Sequence, residues 1–438
     1  MRARAITILM TLAVLGAACA NSGSTGSKQP STSSTGGSGP STPSGRFPAV
    51  DQPGVSPTEI RVSGVAAVTN PTANRYDTSF DGVQAYFDMI NSRGGIYGRR
   101  LVLGSRRDDR LANNRREVQA IIDEDRPFAV LPVTTVLFTG SDLLARANIP
   151  TFGWNIQDEW AGPSNFFPEV GALCIGGSCP PSMLLPWVAS KLHRTRVGVL
   201  AYSVAQSANC SDGIRTSFAK YPSAKIVFLD KSLSFGVTDL STDVKQMIDA
   251  NVDFVTTCMD SNGVLTLAKE MRQQGLNAIH YLPNAYEHDF MDKNGGFFEG
   301  SIVTVLVAPY ETRPLFPALK EYVTWMDRRG SQKTENAEVG WVNAAQFVDG
   351  LRGAGPQFSR QKVIDAINRE TAFDAGGLIP PINWTKQHTE KAYPPFCGAF
   401  LMIHDSKFVP QFGPPGKPFT CFESRPPTLA EAKPVFMQ

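Results

Sequence analysis

The segment YFDMINSRGGIYGRRLVL, residues 86–103, decides the fold class. Its apolar side chains before Asn91 continue a helical spacing that begins at Phe80, and the pair Gly94-Gly95 predicts the end of that helix. The aliphatic run at 101–103 then predicts a short buried strand. A helix that leads through a glycine turn into a strand is typical of α/β proteins with parallel sheets.

The same alternation of strand and helix extends in both directions from this segment. Strands are predicted at 60–68, 101–103, 128–133, 150–153, 197–202, 226–229, 254–257 and 279–282. Helices are predicted at 80–90, with Thr78 or Ser79 as N-cap, and at 115–123, 137–147, 214–220, 244–250, 264–274, 316–328, 339–351 and 363–369. A loop at 154–181 separates two runs of this kind, which predicts two α/β lobes, and a hairpin is predicted at 396–412.

The composition excludes several classes of protein. A chain of 438 residues is too long for one hydrophobic core, and 42% hydrophobic with 19% charged residues is typical of a soluble globular protein. Lys and Arg number 42 against 40 Asp and Glu, and without Arg2 and Arg4 the balance is 40 against 40. This neutral charge argues against nucleic acid as a partner.

The N-terminus carries the pattern of an exported protein. A basic start, an apolar run and small residues predict a secretory signal peptide over 1–18. The stretch LGAAC resembles a bacterial lipoprotein signal, which makes Cys19 the predicted lipidated residue. That signal usually has an aliphatic residue where Gly16 stands, so ordinary cleavage after Ala18 or Ala20 remains the alternative.

Residues 19–46 form a predicted tether. Apart from the first two, they are almost all Ser, Gly, Thr and Pro, a composition that cannot bury enough apolar surface to become ordered. No later apolar run reaches the ~20 residues that span a bilayer. We therefore expect contact with the membrane only through the lipid anchor.

The seven cysteines favour a disulfide framework. Setting Cys19 aside leaves six, an even number that suits an exported protein. A metal site is the competing use, but the chain has no CxxC pair and no His cluster with ligand spacing. The predicted pairs are Cys174–Cys179, Cys210–Cys258 and Cys397–Cys421.

The opening segment, followed by Asp108-Asp109, resembles the hallmark of ABC-transporter solute-binding proteins of the branched-chain amino acid type, which have a type I periplasmic-binding-protein fold. Two later stretches, 197–218 and 243–276, resemble the second lobe of that family in the same order. The likeness covers about 60–412. The residues that match the hallmark are Ile90, Asn91, Gly94, Gly95, Gly98, Arg99 and Asp108.

The resemblance implies a fold of class α/β, with two Rossmann-like lobes of parallel sheets joined by a multi-crossing hinge. The predicted hinge crossings lie near 180–186, 300–309 and 372–381. The predicted N-terminal lobe comprises 56–183 and 308–372, the C-terminal lobe 184–307 and 373–423, and a tail 424–438.

The function implied is that of an extracytoplasmic solute-binding protein of an ABC importer, which captures an amino acid or similar small polar solute by hinge closure and delivers it to a permease. We expect a lipid-anchored monomer on the outer face of the cytoplasmic membrane, with no cofactor and no metal. Two alternatives remain: a receptor of the same fold that signals through a partner, and a secreted hydrolase with a nucleophile and base from distant residues. The absence of HExxH and GxSxG motifs argues against catalysis.

Candidate ligand-binding residues follow the predicted strands, because ligands of open parallel sheets lie beyond the carboxyl ends of the strands. The resemblance implies that Thr134 and Thr135 bind a ligand carboxylate, and the alternative is a plain N-cap. Asp260 is the predicted partner of a ligand ammonium group, and again the alternative is an N-cap. The full set, in which ordinary packing is the alternative for the aromatic residues, is Asn70, Thr134, Thr135, Trp154, Tyr202, Ser203, Asp260, Ser261, Asn284 and Tyr286.

Overall fold

The computed structural model describes residues 47–72, 74–171, 181–283, 285–388, 396–422 and 428–438. The predicted signal peptide, Cys19, the tether and the pair Cys174–Cys179 lie outside the described residues, and so does Asn284. In the described ranges, no helix combines the length and the apolar character that crossing a membrane requires.

The first lobe is built on a five-stranded parallel sheet with strand order β2-β1-β3-β4-β5. The central strand β1 pairs with β2 on one side and with β3 on the other, and its residues Ile60, Val62 and Val65 are fully buried. The strands are β1 (Glu59–Ala66), β2 (Arg100–Asp108), β3 (Ala129–Thr134), β4 (Thr151–Gly153) and β5 (Phe166–Pro168).

The second lobe has a larger sheet with strand order β14-β13-β11-β10-β9-β8-β6-β7, and β12 pairs with β11. Strands β6 to β10 are parallel, whereas β11 to β14 are antiparallel. The last strand lies in the predicted tail and adds to the sheet edge. The strands are β6 (Arg196–Tyr202), β7 (Lys225–Leu233), β8 (Phe254–Cys258), β9 (Ile279–Leu282), β10 (Ile302–Val305), β11 (Phe396–His404), β12 (Lys407–Gln411), β13 (Phe419–Phe422) and β14 (Pro434–Met437).

Helices connect the strands and cover the sheets. They are α1 (Thr78–Ser92), α2 (Asn114–Ala120), α3 (Ser141–Arg146), α4 (Leu184–Lys191), α5 (Ala205–Lys220), α6 (Ser241–Asp249), α7 (Ser261–Gln274), α8 (His288–Asn294), α9 (Pro317–Arg329), α10 (Glu335–Ala354), α11 (Arg360–Ile367) and α12 (Trp384–Gln387). Because α10 packs against α1, β3 and β4, the chain returns to the first lobe after β10. It therefore passes between the lobes three times: after β5, after β10 and after α12, whose Trp384 ring packs against Phe167 of β5 with centroids 5.3 Å apart.

The segment at 86–103 forms the predicted helix, turn and strand. The Asn91 side chain donates to the Leu101 carbonyl (2.9 Å) and accepts from the Leu101 N–H (2.8 Å), which ties the end of α1 to β2. Gly95 has a φ of +72°, and a Cβ there would lie 2.1 Å from the Arg99 carbonyl oxygen. The turn therefore requires glycine at this position.

Several predicted elements differ from the observed ones: the strand predicted at 101–103 is the longer β2, and the helix predicted at 214–220 is the last part of α5. Helix α1 begins at Thr78, with Asp77 as N-cap, because the hydroxyls of Thr78 and Ser79 donate back to the carbonyls of Arg75 (2.6 Å) and Tyr76 (2.7 Å). The helix predicted at 137–147 is limited to α3. The predicted loop at 154–181 contains β5, whose three buried residues are too few to show a period.

Two of the predicted disulfides are present. Cys210 of α5 is bonded to Cys258 at the end of β8, and Cys397 of β11 is bonded to Cys421, which lies opposite it on β13. The predictions for these two pairs are confirmed. They cross-link elements within the second lobe.

Candidate ligand-binding cleft

A cavity of about 570 Å³ lies between the lobes at the carboxyl ends of the strands. Its lining includes residues that follow strands of both lobes: Val136 after β3, Trp154 after β4, Tyr202 at the end of β6, Asp260 after β8 and Pro283 after β9. The volume is within the ~300–1,000 Å³ range of small-molecule sites. The fold thus places a cleft where parallel sheets bind their ligands.

Aromatic side chains form two walls of this cleft. On the first lobe the rings of Tyr76 and Trp154 have centroids 5.6 Å apart, and on the second lobe the centroids of Tyr202 and Phe235 are 5.2 Å apart. All four residues line the cavity. A flat apolar group between the walls would meet aromatic faces from both lobes.

Asp260 lines the cavity and is also the N-cap of α7. Its Oδ1 accepts from the backbone N–H groups of Asn262 (2.8 Å) and Gly263 (3.2 Å), and its Oδ2 accepts from the hydroxyl of Tyr202 (2.9 Å). Burial raises the pKa of the Tyr202 hydroxyl, and the Asp260 charge raises it further. The two interpretations of Asp260 are therefore compatible, because capping leaves its carboxylate at the cavity wall.

The two threonines predicted to hold a carboxylate do not line the cavity. Both are buried. The Thr135 hydroxyl donates to Oδ2 of Asp109 at 2.5 Å, and Asp109 also accepts from the Asn114 side-chain amide (3.1 Å). The Thr134 hydroxyl has no partner among the described residues. The carboxylate-binding role of Thr134 and Thr135 remains a prediction that this geometry does not support.

Asn70 organises the loop between β1 and α1. Its side-chain amide donates to the Ala67 carbonyl (2.7 Å), and its Oδ1 accepts from the backbone N–H (2.9 Å) and hydroxyl (2.5 Å) of Thr72. The cavity-lining residues of this loop are Thr72, Asn74 and Tyr76 rather than Asn70. These three residues were not among the candidates predicted from the sequence.

The same loop connects the lobes across one side of the cleft. Oδ1 of Asn74 accepts from the backbone N–H (3.3 Å) and hydroxyl (3.2 Å) of Ser261. The side-chain amide of Asn262 donates to the carbonyl of Pro71 at 2.8 Å. Ser261 therefore contributes an interlobe contact instead of a cavity wall.

The remaining candidates lie elsewhere or cannot be placed. Ser203 is exposed and does not line the cavity. Tyr286 is buried, and its hydroxyl donates to Glu311 at 2.6 Å. Asn284 is outside the described residues. The structure thus brings Trp154, Tyr202 and Asp260 together at the cavity, and the other described candidates do not line it.

Several lining residues were not predicted from the sequence. Phe235 is 43% exposed and lies in the loop after β7, where no periodic pattern marks it. Cys210 and Cys258 also line the cavity, so their disulfide borders the cleft as well as linking α5 to β8.

Four carboxyl groups near the meeting of the lobes are termed the interlobe acid cluster: Glu169, Glu287 and Glu338, which are buried, and Glu335, which is half-buried. Burial raises all four pKa values, that of Glu287 to about 7 and that of Glu335 to about 8. Charge repulsion adds to this, because Glu287 raises the pKa of Glu335, and Glu335 raises the pKa values of Glu169 and Glu338. Both carboxyl oxygens of Glu338 lack a partner among the described residues. The cluster is therefore protonated more readily when folded than when unfolded.

The raised pKa values of the interlobe acid cluster predict that the free energy of unfolding falls as the pH rises from 5 to 8. Between the ordinary carboxyl pKa and the raised one, the folded state holds more protons than the unfolded state, so each pH unit lowers the free energy of unfolding. For Glu287 alone the loss is on the order of 3 kcal/mol, at about 1.4 kcal/mol per unit. Urea unfolding at pH 5, 6, 7 and 8 measures it.

A matched pair of variants isolates the cluster in this experiment. Glu287→Gln keeps the acceptor for the Arg75 N–H and should flatten the pH dependence, whereas Glu431→Gln changes an exposed carboxylate and should not. Stability that is level or rises across this pH range would contradict the prediction.

Comparison with known proteins supports the fold. A family model described as periplasmic binding protein matches residues 59–396. The leucine-specific-binding protein of Salmonella typhimurium is 22% identical over 355 residues, which cover 79% of this chain and 91% of that protein.

Solved structures resemble this one along most of the chain. A fatty acid ABC transporter substrate-binding protein from Thermomonospora curvata has a TM-score of 0.68 at 16% identity and covers 88% of this chain and 95% of its own. A branched chain amino acid ABC transporter from Thermus thermophilus with bound valine has a TM-score of 0.65 at 18% identity. The match covers 81% of this chain and 96% of that protein. At these identities, the likeness establishes the two-lobed fold alone.

Proposed function

We propose that this chain, which belongs to the periplasmic binding protein family, is the extracytoplasmic solute-binding protein of an ABC importer. The members of this family are binding proteins and not enzymes, and this chain is one of those binding proteins. The solute proposed from the sequence is an amino acid or a similar small polar molecule. Delivery to a permease, a lipid anchor at Cys19 and a monomeric state belong to the same proposal.

The observation that carries the proposal is the cavity between the lobes, with walls from both sheets. Asp260 supports the ammonium half of an amino acid, since its carboxylate borders the cavity. The residues predicted for the carboxylate half, Thr134 and Thr135, are not in the lining, whereas the start of α5, which has no side-chain cap, is.

Capture would proceed by closure of the lobes about their three chain crossings. The second crossing is linked to the segment before α12, because the Ala308 N–H donates to the Leu378 carbonyl at 2.8 Å. A ligand shifts a conformational equilibrium only by its different affinity for the two states. A solute that contacts Trp154 on one lobe and Tyr202 on the other satisfies this condition only when the lobes are closed.

A thermal-shift screen against amino acids, amides, polyamines and aromatic acids tests the proposed function. A ligand at 100 times its dissociation constant should add about 2.7 kcal/mol of stability. Each stabilising compound is then tested by small-angle X-ray scattering, where closure should reduce the radius of gyration. Absence of any stabilising compound, together with turnover of ester, amide or glycoside substrates, would favour a hydrolase and contradict the proposal.

A further inference from the structure

The loop between β1 and α1 is fixed to the first lobe by its own side chains. Oδ1 of Asn70 accepts from the backbone N–H (2.9 Å) and hydroxyl (2.5 Å) of Thr72, and the Thr72 hydroxyl accepts from the Asn74 N–H at 3.3 Å. Tyr76 is buried, and its ring lies against that of Trp154, with centroids 5.6 Å apart. The polar groups of this loop are therefore held in place by the lobe that carries them.

Three hydrogen bonds join this loop to the start of α7 in the second lobe. Oδ1 of Asn74 accepts from the backbone N–H (3.3 Å) and the hydroxyl (3.2 Å) of Ser261, and the side-chain amide of Asn262 donates to the Pro71 carbonyl at 2.8 Å. We term these three bonds the clasp. All their donors and acceptors belong to the protein, so the clasp forms without a contribution from a solute.

The clasp lies two strands away from the chain crossing that follows β10. In the second sheet, β9 lies beside β10, and β8 lies beside β9. The Arg75 N–H contacts Glu287, which follows β9, at 3.3 Å, whereas the partners of the clasp on the second lobe follow β8. In a hinge motion, groups farther from the hinge move farther apart. Opening of the lobes would therefore break the clasp.

The clasp favours the closed arrangement of the lobes. A hydrogen bond within a protein contributes on net roughly a fivefold factor to an equilibrium. Both sides are preorganised, because Asn70 and Thr72 fix the loop, and Asp260 caps the first turn of α7. Preorganised groups lose little conformational freedom when they bond. Most of the gain from the three bonds is therefore available to hold the lobes together.

We infer that Asn74 and Asn262 are positioning residues for solute capture: through the clasp, they raise the fraction of solute-free protein whose lobes are closed. This inference rests on the proposed function, because it concerns closure of the same cleft. The apparent affinity for a solute equals the intrinsic affinity multiplied by the fraction of protein that is competent to bind. A larger closed fraction therefore strengthens capture.

Small-angle X-ray scattering of the full chain without added solute tests the inference on two variants. Asn262→Asp keeps the shape of an exposed side chain but places an acceptor opposite the Pro71 carbonyl, and Asn74→Ala removes the acceptor of both Ser261 donors. The ratio of closed to open lobes should fall at least roughly fivefold in each variant. We expect a larger radius of gyration than that of the wild type, with an unchanged far-UV circular dichroism spectrum.

Asn277→Asp is the matched control for the added charge. Asn277 is exposed, follows the other end of α7 and does not line the cavity, so this variant should have the radius of gyration of the wild type.

Three results would overturn the inference. The first is a wild type with the same radius of gyration as Asn262→Asp and Asn74→Ala, and the second is equal expansion of Asn277→Asp. The third is a lower urea midpoint of the two clasp variants with an unchanged radius of gyration, because the contacts would then stabilise the fold without setting closure. In each case the separate solute screen still decides the proposed function.

Discussion

Gly340→Ala should destabilise the protein by more than about 4 kcal/mol, which is the exceptional end of the range for single substitutions. Helices α1 and α10 cross with backbone against backbone: a Cβ on Gly340 would lie 1.9 Å from the Ser79 carbonyl oxygen, and one on Gly82 would lie 1.8 Å from that of Ala337. These neighbours are backbone atoms, so relief requires the helices to separate. Overpacking of this kind costs more than the ~1 kcal/mol that alanine gains in helix propensity.

Urea unfolding monitored by tryptophan fluorescence measures this loss. Gly162→Ala is the control, because no atom lies within 4 Å of a Cβ there and its φ of −105° suits any residue. We expect Gly162→Ala to stay within about 1 kcal/mol of the wild type, on the stabilising side. A Gly340→Ala variant that is equally stable would show that the two helices do not meet as described.

The double variant Cys210→Ala/Cys258→Ala should lose about 4 kcal/mol. The bond joins residues separated by 48 positions, and closing such a loop restricts the unfolded chain by roughly that amount in the chain-entropy description. Replacing both cysteines avoids leaving a free thiol next to the cleft. Chemical denaturation without reductant measures the difference from the wild type.

The second disulfide supplies the comparison. Cys397 and Cys421 are separated by 24 positions, so the double variant Cys397→Ala/Cys421→Ala should lose about 3 kcal/mol, somewhat less than the first. Adding dithiothreitol to the wild type should lower its stability as well. Equal denaturation midpoints for the wild type and the first double variant would disprove the stabilising role of that bond.

Periodicity along the chain was sufficient to predict most strands, the helices at 264–274 and 339–351 and the two-lobed organisation. These features depend on contacts between residues close in sequence or on one buried face of an element. Both produce a repeating pattern of apolar residues along the chain. The bond between Cys210 and Cys258 was predictable for a related reason, since both cysteines follow buried strands, and those strands pair in the sheet. Strand β5 was missed because three residues show no period.

The lining of the cleft was only partly predictable. Trp154, Tyr202 and Asp260 follow strands and reach the cavity, but Thr135 follows a strand in the same way and bonds to Asp109 instead. Position after a strand sets the end of the sheet at which a residue lies. It does not set the direction of the side chain, which depends on the neighbouring loops.

From the sequence alone came the fold class, two of the cysteine pairs and the edge of each sheet where a ligand would lie, because local spacing and composition carry that information. The tertiary structure alone decided which of the described side chains face the cleft, the acidic sign of the charges among them, the burial of Glu169, Glu287 and Glu338, and the close approach of α1 and α10 at Gly82 and Gly340. These features arise between residues far apart in the chain, such as Asn74 and Ser261, 187 positions apart. Their distances are set by the packing of the lobes, and no pattern along the chain encodes them.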